Sequence, residues 1–306
     1  MSKVSVIINC FNGAEYLKET LDSLKSQTYQ DFEIIFWDNC STDNTQEIAK
    51  KYGSQLKYFR GERTVPLGEA RNLALSKVQG DYIAFLDADD LWEVDKLRLQ
   101  VNELDNNPEV GMVCSNFQLL NMMTGEISIS DKVAIQKELS FSEFVSKYNY
   151  SLSSFIIRKK CFDNLEYLFN PSLKYVEEFE LFLRIAYAWK IKYLSEVLVT
   201  YRIHNSMNSM KLIDEKFDEY NIVLNTIKKL DNEIEDKYPE VIKWISFLRD
   251  YSGAKSVIRK GNNKLVRELM KPYLNYNFRA KCFYFLALMP SITTKKIVSI
   301  LYKNKF

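Results

Sequence analysis

Over the first hundred residues, short apolar runs alternate with stretches in which apolar side chains recur every three or four positions among charges. Val4 to Ile8 is a β-branched run that gives way to Asn9-Cys10-Phe11-Asn12-Gly13, residues that favour a turn. From Glu15 to Gln27, Leu17, Leu21 and Leu24 mark one helical face; Phe32 to Trp37 is apolar again and ends in Asp38-Asn39-Cys40-Ser41-Thr42-Asp43. A second helical stretch runs to Lys51, followed by a third strand at Leu56 to Phe59 and a third helix at Leu67 to Lys77. This alternation predicts an α/β fold, a mostly parallel sheet with helices on both faces and ligands at the carboxyl ends of its strands.

The next apolar run, residues 80–92, leads directly into Asp87, Asp89 and Asp90. Carboxylates this close repel one another, which a divalent cation with its phosphate ligands would offset. Asp is also common in turns for purely local hydrogen-bonding reasons, so both readings stand at this point. Residues 172–186 read as a helix with Phe179, Phe182, Leu183 and Ala186 inward and with Glu177, Glu178 and Glu180 in its first turn. Those acids either complement the positive end of the helix dipole or take part in chemistry. His204, the single histidine, stands on a loop as a surface residue or as a ligand.

Between these segments, Met112 to Leu120 predicts a strand and residues 121–132 a hairpin or loop around Thr124-Gly125. Ser140 to Tyr150 predicts a short helix, and Ser151 to Arg158 a strand facing the acceptor side. Beyond residue 211, apolar positions such as Val223, Leu224, Ile227, Val241, Ile245 and Leu248 predict an all-helical segment.

The ordered set Val4-Ser5-Val6-Ile7-Ile8, Asn12, Asp38 with Ser41-Thr42-Asp43, Gly68, Ala70-Arg71-Asn72, Gly80-Asp81-Tyr82-Ile83 and Leu86-Asp87-Ala88-Asp89-Asp90 resembles the family 2 glycosyltransferases. The resemblance is close over about residues 3–95 and looser to about residue 209. It implies a GT-A fold, that is, a Rossmann-like mixed sheet flanked by helices, here with an α-helical C-terminal extension. The implied division is a catalytic domain at 1–210, with a nucleotide-sugar half at about 1–110 and an acceptor half at 111–210, and the extension at 211–306. Cys10, Phe11, Asn12, Asp38, Arg71, Asp87, Ala88 and Asp89 are the implied nucleotide-sugar contacts: Asp38 for base or ribose, Asp87 for ribose, and Arg71 for the diphosphate or for holding the carboxylates.

Asp89, with His204 from the similar Tyr201-Arg202-Ile203-His204 segment, is the implied holder of Mn2+ or Mg2+. Glu178 stands where the family carries an Asp general base, followed by Leu181 and Arg184, and Glu177 is the alternative. The family commonly has Pro-Thr-Tyr-Asn and Asp-Asp-Gly-Ser where this chain has Asn9-Cys10-Phe11-Asn12 and Asp38-Asn39-Cys40-Ser41. The resemblance implies inverting transfer of a sugar from a nucleotide-sugar donor, UDP being the expected nucleotide with GDP and dTDP as alternatives. The implied acceptor is a glycan or lipid-linked glycan of the bacterial surface.

At 306 residues, with 46% hydrophobic and 14% aromatic content, the chain can bury a full core. Five scattered cysteines (Cys10, Cys40, Cys114, Cys161, Cys282) form no Cys-x-x-Cys pair, which fits a reducing, cytoplasmic compartment without disulfides or the usual zinc frameworks. Cys10 and Cys40 are expected as small buried residues near the nucleotide. Met1-Ser2-Lys3 leads straight into a strand, so no leader is expected. The net charge of +2 hides an asymmetry: residues 251–306 carry twelve Lys and Arg against the single acid Glu268. That basic, aromatic-bearing segment is suited to the inner face of an anionic membrane, or else packs as a helical hairpin with its charges in water; Cys282 to Met289 is too short to cross a bilayer. No nucleic-acid partner is expected, because the lysines lack interleaved aromatic platforms. A nucleotidyltransferase would show a basic, Gly-rich phosphate loop near the first strand, and residues 9–14 contain neither Lys nor Arg. A catalytically silent nucleotide-sugar-binding protein on the same fold is the remaining alternative.

Overall fold

A computed structural model of the chain describes residues 2–130, 137–205, 216–294 and 297. Two compact units result, Met1–His204 and Asn205–Phe306. The first begins β1 (Val4–Cys10), α1 (Ala14–Lys25), β2 (Phe32–Asp38), α2 (Thr45–Lys50), β3 (Leu56–Arg60), α3 (Leu67–Leu75) and β4 (Tyr82–Phe85). It continues with β5 (Leu91–Trp92), α4 (Lys96–Asn106), β6 (Val110–Asn121), β7 (Ile127–Ile129), β8 (Lys137–Leu139), α5 (Phe141–Ser146), β9 (Ile156–Arg158), α6 (Glu177–Ala188) and β10 (Lys190–Ile203). One mixed sheet runs in the order β3-β2-β1-β4-β9-β6-β10-β5, with β7 on β6 and β8 on β10.

Parallel pairing of β1 with β2 and β4 sets Cys10 opposite Asp38 and Ile7 opposite Phe85, so three strand ends open on one edge. The amide of Asn39 donates to the Cys10 carbonyl (2.8 Å) and that of Leu86 to the Ile7 carbonyl (3.0 Å), which ties the loops leaving that edge. Val4, Val6, Ile8 and Cys10 on one face of β1 share a core with Leu17, Leu21 and Leu24 of α1. Ile7 on the opposite face is buried as well, which is why β1 reads as a continuous apolar run. Each such side chain contributes about 1.5–3 kcal/mol of burial.

Several segments depart from the sequence reading. The expected strand Ser151 to Arg158 begins only at Ile156, because Leu152–Ser154 forms a 3-10 turn in which the Ser151 hydroxyl accepts the Ser153 amide (3.2 Å). The expected helix at 172–186 begins at Glu177, since the Asn170 side chain accepts from both the amide (3.0 Å) and hydroxyl (2.7 Å) of Ser172 and holds that stretch in a turn. Helix α4 was not anticipated, although its buried Leu97, Val101 and Leu104 carry the helical spacing. The hairpin around Thr124-Gly125 is present as β6–β7, while residues 131–132 of that stretch lie outside the described residues.

In the second unit, α7 (Lys216–Leu230), α8 (Ile234–Lys237), α9 (Pro239–Lys260), α10 (Asn263–Met270) and α11 (Phe278–Leu286) follow one another. Residues 212–215, 295–296 and 298–306 of the expected helical segment lie outside the described residues. Phe247, Ala254, Ile258, Val266, Met270 and Ala280 form its core, and Gly261 ends α9 in the left-handed conformation (φ 83°). Phe278, Phe285, Leu288, Met289 and Ile292 stay exposed. Among the described residues no helix is long and apolar enough to cross a membrane.

Among the described residues two that are not glycine take positive φ, Asn12 (52°) and Cys40 (69°), both in the loops at the open sheet edge. Cys40 is half-buried rather than buried as expected, because the left-handed turn carries its side chain outward. A left-handed non-glycine residue costs about 1–2 kcal/mol, of which glycine's extra chain entropy returns about 0.5–1. Cys40→Gly is therefore expected to raise stability by about 0.5–1 kcal/mol, read as an upward shift of the urea midpoint. Gly80→Ala should do the opposite. A Cβ there would lie 2.8 Å from the Ser5 nitrogen and 2.9 Å from both the Lys3 oxygen and the Val4 carbonyl carbon, backbone atoms fixed in β1 and the residue before it. The expected loss is about 1–3 kcal/mol on the same measurement.

Candidate active site

The turn after β4 sorts its three carboxylates into different environments. Asp90 points inward and is 1% exposed; it accepts from the Ser153 hydroxyl (2.6 Å) and the Arg202 amide (3.3 Å), and its own amide donates to the Asp87 carbonyl (3.1 Å). Burial, with the Asp87 and Asp89 charges added, holds the Asp90 carboxyl well above the usual range. Asp87 and Asp89 remain partly open to solvent, and Ala88 between them anchors the turn by accepting the Thr20 hydroxyl at its carbonyl (3.0 Å). Desolvation pushes the Asp87 carboxyl up to about 6; Arg71 opposes that shift, while Asp89 and Glu178 add to it.

The end of β10 secures Asp89. Arg202, fully enclosed, donates to the Asp89 carbonyl, the Glu19 carboxylate, the Tyr16 carbonyl (3.2 Å) and the Thr20 hydroxyl (3.0 Å). Two residues on, the buried His204 places Nε2 at 3.0 Å from Asp89 Oδ2, and its ring lies 4.4 Å from that of Tyr16. The solitary histidine is thus a buried neighbour of the carboxylate cluster.

Arg71 of α3 joins this cluster to the start of α6. Its guanidinium is buried, 2.8 Å from Glu177 Oε1, 3.7 Å from Glu178 Oε2 and 3.6 Å from Asp87 Oδ1. Glu177 is 2% exposed, and its Oε2 has no hydrogen bond among the described residues. The Glu178 side chain is 29% exposed at the same cation. Glu180, third in the acidic first turn, is spent on structure: Arg184 grips both its oxygens (3.0 and 2.9 Å) and the Tyr167 hydroxyl donates to it (2.8 Å). Sequence reasoning missed Tyr148. Its ring packs on Phe179 (centroids 4.7 Å apart), its buried hydroxyl has no hydrogen bond among the described residues, and burial together with Glu178 pushes the phenol well above its usual range. No motif marks such a residue; only the fold brings it here.

Asp38 is fully buried at the end of β2. Its carboxylate accepts the Ser41 amide (2.7 Å), the Tyr58 hydroxyl and Arg60 Nη1 (2.7 Å). Asn12 braces the two loops, its amide donating to the Ser41 hydroxyl (2.9 Å) and its Oδ1 accepting the Thr42 amide (2.8 Å). Phe11 projects from the rim, 51% exposed, while Cys10 lies beneath with its thiol pushed up to about 12 by burial.

The donor chemistry admits a divalent cation with a shared coordination shell. Among the described residues no three His, Cys, Asp or Glu side chains converge as a complete metal cage. Asp89 and His204 do converge, and one carboxylate with substrate phosphates and water is a usual way to hold Mg2+ or a similar ion.

Comparison with known proteins agrees with this architecture. An uncharacterized glycosyltransferase of Rickettsia typhi is 26% identical over 299 residues, covering 96% of this chain and 86% of its own. The Escherichia coli enzyme WfaP, a UDP-Glc:α-D-GlcNAc-diphosphoundecaprenol β-1,3-glucosyltransferase, is 27% identical over 225 residues, 73% of this chain and 86% of its own. Among solved structures, S. aureus TarS (1–349) in complex with UDP-GlcNAc superposes with a TM-score of 0.70 at 18% identity, covering 99% of this chain and 92% of that one. The mannosyltransferase PcManGT of Pyrobaculum calidifontis, in complex with GDP-Man and Mn2+, gives a TM-score of 0.60 at 15% identity, covering 99% and 86%. These likenesses identify the fold as GT-A. The model of glycosyl transferase family 2 matches residues 5–166, more than half of the chain, and the protein belongs to that family of glycosyltransferases.

Proposed function

We propose that this glycosyltransferase transfers a sugar from a UDP-sugar to an acceptor hydroxyl with inversion at the anomeric carbon, in assembly of a bacterial surface or lipid-linked glycan. One observation carries the reading: a single buried guanidinium, Arg71, lies within 3.7 Å of carboxylates from both the turn after β4 and the start of α6, so donor-side and acceptor-side acids face one cleft. WfaP, with its UDP-Glc donor and diphosphoundecaprenol-linked acceptor, supports the substrate class, as does the UDP-GlcNAc bound by TarS.

Glu178 is the proposed general base. Its carboxylate is partly open to solvent, whereas Glu177 is enclosed and tied to Arg71, a role that positions rather than reacts. Glu178 takes the proton of an acceptor hydroxyl held on the face of the sugar opposite the diphosphate, so direct displacement inverts the centre without a covalent intermediate. Asp87 receives the ribose. Asp38 organises base recognition through Tyr58 and Arg60, which its buried carboxylate holds, and Cys10, Phe11, Asn12 and the Ala88 backbone line the same end. Asp89 and His204 would hold Mn2+ or Mg2+, which supplies charge neutralisation at the departing diphosphate. Bound Mn2+ in PcManGT supports that choice. The exposed Phe278, Phe285 and Ile292, in a tail rich in Lys and Arg, support peripheral contact with the anionic inner face of the cytoplasmic membrane.

Turnover is measured as UDP release from a UDP-sugar with a diphosphoundecaprenol-linked acceptor and Mn2+ or Mg2+. Asp89→Ala and Glu178→Gln are each expected to lower it by about 100-fold or more while melting stays within a few degrees of wild type. Equal turnover in all three proteins would refute the assignments, and a UDP-dependent rise in melting temperature with no turnover in wild type would establish a silent binder. Glu180→Ala should behave in the opposite sense. It strands the buried Arg184 and should cost about 3–5 kcal/mol in a denaturant titration.

A further inference from the structure

A cavity of about 370 Å³ lies apart from the Arg71 cleft, walled by β6, β8, β10 and the segment after α5. None of Arg71, Asp87, Asp89 or Glu178 lines it, yet it adjoins their cleft: Tyr150 on its wall packs edge-on against Tyr148 (5.6 Å), the tyrosine whose phenol feels Glu178. Its volume falls in the range of small-molecule sites, about 300–1,000 Å³.

Three features of the lining specify the chemistry. Tyr150 is held rigid, stacked on Phe144 at 5.4 Å, and with Phe117 offers the flat apolar surface that the C–H face of a pyranose covers. The Ser115 side chain is wholly buried in that wall, and its hydroxyl makes no hydrogen bond among the described residues, a deficit that a ligand hydroxyl would relieve. Lys137 and Lys147 both line the cavity and share the single carboxylate of Glu143, at 2.9 and 3.9 Å, which among the described residues leaves one positive charge in excess.

We propose that this cavity is a second saccharide site that takes a pyranose carrying an acidic group, with the ring against Tyr150 and the anion at the lysine pair. That this saccharide is part of the acceptor rests on the transfer reading above; occupancy of the cavity does not.

The test uses the full chain and saturation-transfer NMR titrations with methyl β-D-glucuronide, glucose 6-phosphate and, as neutral control, methyl β-D-glucoside. Either acidic probe should bind at about millimolar Kd and tighter than the control by about threefold, with the two acidic arms separating carboxylate from phosphate. Lys147→Gln, at an exposed position, should abolish that preference and leave the neutral sugar unaffected. Ser115→Ala, which removes only the hydroxyl, should weaken all bound probes by about fivefold without lowering the melting temperature. Absence of binding by both acidic probes, or binding that neither substitution alters, overturns the proposal. The rise in melting temperature with UDP, measured on the same proteins, separates the two readings. Saccharide binding without a UDP effect removes the transfer reading alone, and a UDP effect without saccharide binding removes only the second site.

Discussion

The site depends on the burial of one positive charge. Arg71 brings its guanidinium into an interior already occupied by Glu177, Glu178 and Asp87, residues contributed by two stretches of chain about 90 positions apart. A buried ion pair of this kind adds little net stability, since desolvation offsets most of its attraction, but it makes any other arrangement of the partners costly. Arg71 therefore fixes which way the first turn of α6 faces. One cation also faces three carboxylates, and the Asp87 carboxyl is pushed up to about 6 chiefly by burial, with Arg71 opposing the shift and Asp89 and Glu178 adding to it. An additional positive charge beside Asp87, Asp89 and Glu178 would lessen the repulsion among them.

How far the sequence could be read follows from the same physics. β1, β2 and β4 were legible because both faces of the sheet are covered and the strands are apolar throughout; α1 and α3 were legible because one face of each is buried. The acidic turn was legible as a cluster but not as three separate roles. Asp90 is set apart by Ser153, 63 residues later, and by the Arg202 amide, 112 residues later, and no local pattern encodes either contact. The same holds for Glu177 and Glu178: neighbours on a helix point about 100° apart, and which one is buried depends on where α3 presents Arg71. β9 and β5 are three and two residues long and exist because neighbouring strands pair with them, a condition that propensity cannot express.

Where this chain departs from the family pattern, hydrogen bonds across the loops do the positioning. Cys40 adopts the left-handed turn at the place where the family commonly has glycine, and Asn12 does so beside it. Both conformations persist because the loops brace each other, Asn12 bonding to the Ser41 hydroxyl and the Thr42 amide while Asp38 accepts the Ser41 amide. In the family pattern the proline fixes φ directly and the glycine takes the left-handed turn without steric cost. Here the restriction is tertiary, and it makes both loops dependent on the Asp38 side chain being in place.

A parallel argument applies to Asp89. Alternate residues of a strand share a face, so Arg202 and His204 reach the same loop from the end of β10. Arg202 holds the Asp89 backbone through its carbonyl, and Arg202 is itself fixed by α1 through Glu19, the Tyr16 carbonyl and Thr20. His204 meets the side chain of the same residue. With the backbone clamped, the Asp89 carboxylate keeps only its side-chain rotations, and those are narrowed by the imidazole. A group held this way needs little reorganisation when charge develops nearby, which is the condition under which electrostatic stabilisation is strongest. Elements at opposite ends of the first unit's sequence, α1 and β10, thus converge on the placement of one carboxylate.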